Sequence, residues 1–249
     1  MKHVKLAIFL AILCVIGLLC GIPYMIATIG DTLAGTKVPV ATVIIASVVQ
    51  GAILAFVLGW LGLMMGEAVG LDAPIFRSWI LKTGEVGFQK RDVWQAIILG
   101  GIGVLVVIGL ELFVFRPLIP ELVSMDRKVS PLVGMLTFLQ GGVYEEVQLR
   151  LFLMTLIVWV LSRVFRKQQG LKPWMYWIGI LGAALLFGIA HFPAVQQLFG
   201  EITPILFART IILNGLIGLL CGYLYWKKGL EYAMIAHAVG DIILHGLYA

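Results

Sequence analysis

Charge is what this chain has least of. Of its 249 residues only 12% are Asp, Glu, Lys or Arg, about half of the roughly 25% usual in soluble domains. Hydrophobic residues make up 61% and the mean hydropathy is +1.04, which excludes soluble, fibrous and disordered classes. Cysteine is scarce as well. Cys14, Cys20 and Cys221 sit inside apolar runs without paired spacing, so neither a disulfide framework nor a cysteine-rich zinc module is encoded, and they read as small core residues. The sequence contains no G-x-S-x-G and no H-E-x-x-H, and no cysteine neighbours a candidate base in sequence, so serine and cysteine nucleophile chemistry find no support. The net charge of +5 lies in loops rather than on a basic face with interleaved aromatics, which excludes nucleic acid as a partner.

What is present is apolar length. Seven runs can cross a roughly 30 Å hydrocarbon layer, at about residues 6–29, 38–65, 93–115, 131–164, 174–192, 204–226 and 230–248. The expected fold is therefore all-α: a polytopic helical membrane protein of about seven transmembrane helices, forming a single membrane domain over residues 1–249. Lys2 and Lys5 precede the first run, but it continues without an A-x-A-like site and reads as an uncleaved helix. With the N-terminus inside, twelve Lys and Arg fall on the cytoplasmic side and four outside, namely Lys37, Arg116, Arg127 and Lys128. That bias predicts a cytoplasmic N-terminus and an outer C-terminus, and with the short loops it suits a bacterial plasma membrane. Between residues 67 and 92, Ile75, Phe76, Trp79 and Ile80 recur at helical spacing beside Arg77 and Lys82, predicting a cytoplasmic interfacial helix. No internal repeat is evident.

Ionisable groups inside hydrocarbon cost about 2.5 to 3.5 kcal/mol each. Glu145, Glu146, Arg150, His191, His237 and Asp241 all qualify. At 100° per residue Arg150 lies about 40° from Glu146 and about 140° from Glu145. Glu146 is thus expected to pair with Arg150, leaving Glu145 on another face, free to act as a general base on water. Phe187 and His191 are four apart, as are His237 and Asp241, so each pair shares a helix face. At 1.5 Å per residue Glu145 and His237 fall about 9 and 12 Å from the same membrane boundary, whereas His191 falls about 26 Å up, at another level unless its helix tilts.

Three strings carry the site: Glu145-Glu146-Val147-Gln148-Leu149-Arg150 (E-E-x-x-x-R), Phe187 to His191 (F-x-x-x-H) and His237 to Asp241 (H-x-x-x-D). In this order they resemble the motifs of the CPBP intramembrane proteases, which include the CAAX prenyl proteases, or Ras-converting enzymes, and bacteriocin-immunity relatives. The resemblance implies a catalytic core over residues 131–248. It implies that Glu145 and His191 activate a water, that His237 and Asp241 face the scissile carbonyl and its oxyanion, and that Glu146, Arg150 and Phe187 organise the site or hold substrate. The implied substrate is a membrane-associated peptide, prenylated CAAX-like or leader-like, with membrane lipid as the other partner. No cofactor is favoured; zinc is the alternative, on Glu145, His191 and His237. A proton-coupled transporter or a non-catalytic immunity or scaffold protein would use the same buried charges without cutting a peptide.

Overall fold

A computed structural model describes residues 2–35, 38–84, 86–124 and 129–248, with no strand among them. The long helices are α1 (Lys2–Ala34), α2 (Val40–Val69), α4 (Lys90–Leu118) and α5 (Pro131–Phe165), α6 (Pro173–Ala190) and α8 (Pro204–Lys228). Shorter are α3 (Pro74–Leu81), α7 (Phe192–Phe199) and α9 (Leu230–Asp241), which continues in π-helical turns through Ile242–Tyr248. The protein is a polytopic all-helical membrane protein. Six of the helices are long and apolar enough to cross a membrane. The seventh expected span is one continuous helix, but Glu231, His237, Asp241 and His245 dilute it. Of the cations assigned to the outer side, Lys37, Arg127 and Lys128 lie outside the described residues.

Local sequence sets the helix ends. α8 starts with Pro204 after Thr203, whose hydroxyl accepts the Leu206 N–H at 3.3 Å, and it closes with Lys227 and Lys228 in its last turn, where cations complement the helix dipole. α2 stops at Gly70, whose left-handed φ of 68° and N–H to Gly66 O form a C-cap that glycine adopts without a Cβ penalty.

Outward faces are apolar: Trp94, Ile98, Ile102 and Leu105 along α4 are each more than half exposed, a stripe that suits lipid. Hydrophobicity cannot join helices in such surroundings, so close packing must. The glycines serve this. A Cβ on Gly17 or Gly62 would lie 2.5 or 2.3 Å from the Leu139 or Leu151 carbonyl oxygen, and one on Gly100 2.3 Å from Ala236 O. Thus α1 and α2 press on α5, and α4 on α9. α3 is held by Glu231 at the start of α9, whose carboxylate accepts the Phe76 N–H at 2.8 Å, and by Arg77 donating to Asp72 at 2.6 Å. The Asp72 carboxylate beside it raises the pKa of Arg77 further above its ordinary value.

A cavity of about 640 Å³ occupies one half of the bundle, where α1, α4, α6 and α9 end and α5 and α8 begin. A cluster including Val107, Phe115, Val195, Leu206 and Leu213 packs beside it.

Candidate active site

The middle of α5 is not a regular α-helix. Gln140–Glu145 and Val147–Met154 form π-helical turns, whose i→i+5 bonds put more residues in each turn and are frequent at functional positions. Two expectations change for that reason. The rotation between Glu145 and Glu146 is smaller than 100°, so both carboxylates reach one imidazole. The rise per residue is also below 1.5 Å, so Glu145 lies less far from the Pro131 end than straight-helix counting predicts.

That imidazole is His237. Its Nδ1 lies 2.7 Å from Glu146 Oε1, and its Nε2 lies 3.8 Å from Glu145 Oε2 and 3.8 Å from Asp241 Oδ1. Glu146 and Arg150 are wholly buried and pair at 3.3 Å in the expected i, i+4 manner. The Arg150 guanidinium also sits 5.4 Å over the Phe187 ring. Glu145 is the accessible carboxylate, with its side chain 27% exposed and lining the cavity beside Asp241 and His237.

His191 joins them despite its calculated depth. α6 breaks at His191 before Pro193, and the side chain turns back so that Nδ1 is 2.8 Å from Phe187 O. Helical side chains lean towards the N-terminus in this way. The rings of Phe187 and His191 meet edge-on at 4.8 Å, those of Phe187 and His237 at 5.9 Å, and His191 lines the same cavity. Glu145, Phe187, His191, His237 and Asp241 thus line one cavity, with Glu146 and Arg150 buried behind His237.

In comparison with known proteins, residues 127–243 fit the family model described as type II CAAX prenyl endopeptidase Rce1-like. This stretch belongs to the CAAX protease family. Neither a curated protein nor a solved structure matches the chain. The match gives residues 127–243 the character of a CAAX-type protease domain, set in a helical membrane protein.

Within the matched stretch the zinc alternative meets a different set of donors. Among the described residues one trio brings its donor atoms together, within 4.8 Å, and it is Glu146, Cys221 and His237 rather than Glu145, His191 and His237. Cys221 is fully buried between α8 and α9, its thiol 3.8 Å from Ala233 O. The trio fits a cation poorly. Its one carboxylate already faces the Arg150 guanidinium at 3.3 Å, and the guanidinium nitrogens are buried there without a hydrogen-bond partner among the described residues, so a metal ion would meet a fixed positive charge.

Three features of the candidate site were not read from the sequence. His245 lines the cavity and meets Tyr24 edge-on at 5.3 Å, with Nδ1 3.3 Å from its hydroxyl. Its signal was available, because His237, Asp241 and His245 recur every fourth residue. Gly141 is the second: a Cβ there would lie 2.1 Å from Asp241 Oδ2 and 3.1 Å from His237 Nε2. The third is the pair of Glu111 and Arg209, which joins α4 to α8 across 98 residues of sequence and leaves no periodic trace.

Proposed function

We propose that the protein is an intramembrane endopeptidase that hydrolyses the tail of a membrane-associated peptide with a water activated by Glu145. The observation that carries this reading is the accessible Glu145 carboxylate 3.8 Å from the buried His237 imidazole at the wall of a cavity. Glu145 can accept a proton from water in the cavity. His191, its Nδ1–H donated to the Phe187 carbonyl, leaves Nε2 as an acceptor that helps align that water.

On the other side of the scissile carbonyl, His237 has its Nδ1–H donated to Glu146, which leaves Nε2 facing Glu145 and Asp241. At 2.7 Å Glu146 is within hydrogen-bond range and at 3.8 Å Asp241 is not. Orientation of His237 therefore falls to Glu146, buttressed by Arg150, and Asp241 is free for the oxyanion. A protonated Asp241 carboxyl donates to that oxygen, and with His237 as the imidazolium, protonated on both nitrogens, its Nε2–H is the second donor. The proton taken by Glu145 passes to the leaving amine as the peptide bond breaks, and the water oxygen stays on the new carboxyl. The family description favours a prenylated CAAX-type tail as the substrate, with a leader-type peptide as the other candidate. A cytoplasmic N-terminus in a bacterial plasma membrane remains the orientation that the loop cations favour.

The test is mass spectrometry of products after incubating purified protein with a panel of prenylated, acylated and unmodified peptides. Glu145→Gln keeps the side-chain shape and removes the base, so cleavage should fall by about 10² to 10⁴ with unchanged thermal unfolding. Cleavage at the parent rate by Glu145→Gln would refute the assignment, and a parent that cuts nothing on the panel would favour transport or scaffolding.

A further inference from the structure

The cavity has a second polar end. Arg209 on α8 donates from Nε and Nη2 to the two carboxylate oxygens of Glu111 on α4, each at 2.8 Å. Both residues line the cavity, with side-chain exposures of 22% and 11%. Among the described residues Arg209 is the one Lys or Arg lining that cavity. Glu111 stands where α4 widens into the π-helical turns Glu111–Phe115, a local irregularity of the kind that marks functional positions. An ion pair inside a membrane bundle is costly to insert and weak as a source of stability, which makes a purely structural role a poor return.

The guanidinium has five N–H donors in a rigid fork. Glu111 takes two, fixing the plane of the group and leaving the rest for a ligand. A planar anion fits that edge, and a peptide carries one such group at a fixed place, its C-terminal carboxylate. We infer that Arg209 reads the free C-terminal carboxylate of the substrate, with Glu111 as the positioning residue that aims it. This deepens the peptidase reading above and rests on it.

The levels of the helices give a length. α6 and α8 run antiparallel, with Gly188 against Ile211 and Gly218 against Ala184 and Phe187, so Phe187 lies level with about the middle of residues 211–218. Arg209 is five or six residues nearer the start of α8, about 8 Å at 1.5 Å per residue, and its side chain leans further that way, to roughly 10 Å. An extended peptide covers about 3.3 Å per residue. A carboxylate held at Arg209 therefore places the carbonyl about three residues upstream beside Phe187, His237 and Glu145.

The experiment uses the full chain in lipid nanodiscs and a fluorescent, S-farnesylated peptide ending Cys-Val-Ile-Ser, synthesised both as the free acid and as the C-terminal amide. A charge-assisted hydrogen-bonded contact predicts that the parent binds the acid about ten- to a hundredfold tighter than the amide. Arg209→Gln should bind both as weakly as the parent binds the amide. In turnover it should raise KM for the acid far more than it lowers kcat, and Arg209→Lys should recover part of the preference. Equal affinity for acid and amide in the parent, no binding of either, or an acid preference that survives in Arg209→Gln would overturn the inference. The parent comparison decides even if a variant fails to fold. Acid-selective binding without cleavage would overturn the peptidase reading and uphold the role of Arg209.

Discussion

Gly141→Ala adds one carbon at the point where α5 touches α9. The new Cβ would lie 2.1 Å from Asp241 Oδ2 and 3.0 Å from its Cγ, with His237 Nε2 behind at 3.1 Å. Asp241 Oδ2 must retreat by about 1 Å to reach ordinary contact, and His237, packed on Phe187 and bonded to Glu146, blocks the short way out. Overpacking of this kind costs about 1 to 3 kcal/mol, and a displacement of about 1 Å in a reacting group costs about 10² in rate. The expected result is a loss of peptide turnover near a hundredfold with a modest fall in unfolding temperature. Gly109→Ala is the matched control. Nothing lies within 4 Å of its added carbon, so the better helix former should stabilise α4 by about 0.5 to 1 kcal/mol and leave turnover unchanged. Unfolding in nanodiscs and cleavage of one fluorogenic peptide give both readouts. Parent-like turnover in Gly141→Ala would show that the placement of Asp241 and His237 is not what limits the reaction.

Glu146→Gln leaves Arg150 buried without its counter-charge, so it should lose about 3 to 5 kcal/mol of stability; an unchanged unfolding temperature would contradict the pairing. Asp241→Asn keeps a donor in the same shape and should retain activity with less loss at high pH than the parent, while Asp241→Ala should fall by about 10² to 10³. Equal harm from both would remove the donor role. Single cysteines replacing Glu201 and Lys228, in a chain freed of its own three, should label from outside and only after permeabilisation, respectively; the reverse would invert the chain in the membrane.

The legible parts of this fold were those written in local period and composition. Apolar runs gave the spans, although the last helix, carrying Glu231, His237, Asp241 and His245, is less apolar than a span judged alone requires. The i, i+4 spacing gave the pairing of Glu146 with Arg150. What escaped depends on backbone irregularity or on helices meeting far apart in sequence. The π-helical turns of α5 have no side-chain period of their own, so a uniform rotation separated Glu145 from Glu146 too widely, and counting along α6 missed the break at His191 that turns its side chain back towards Phe187. Glu111 and Arg209 were each visible as isolated polar residues, but only the packing of α4 on α8 makes them a pair. Cys221 reads as core in sequence and is core, yet it lies beside Glu146 because α8 crosses α5 there.

For the peptidase proposed above, the confinement of the cavity to one half of the bundle makes the reaction directional. A lipid-tethered substrate is held in one leaflet, and only the leaflet level with the cavity can deliver its tail to Glu145. With a cytoplasmic N-terminus, the ends of α1, α4 and α9 lie at the outer face, and the outer leaflet supplies the tails. Turned over, the same residues would process cargo of the inner leaflet. The choice between those two populations is then made by lysines and arginines in loops remote from the chemistry, so a few basic substitutions between helices would redirect the enzyme to a different compartment without touching its active site.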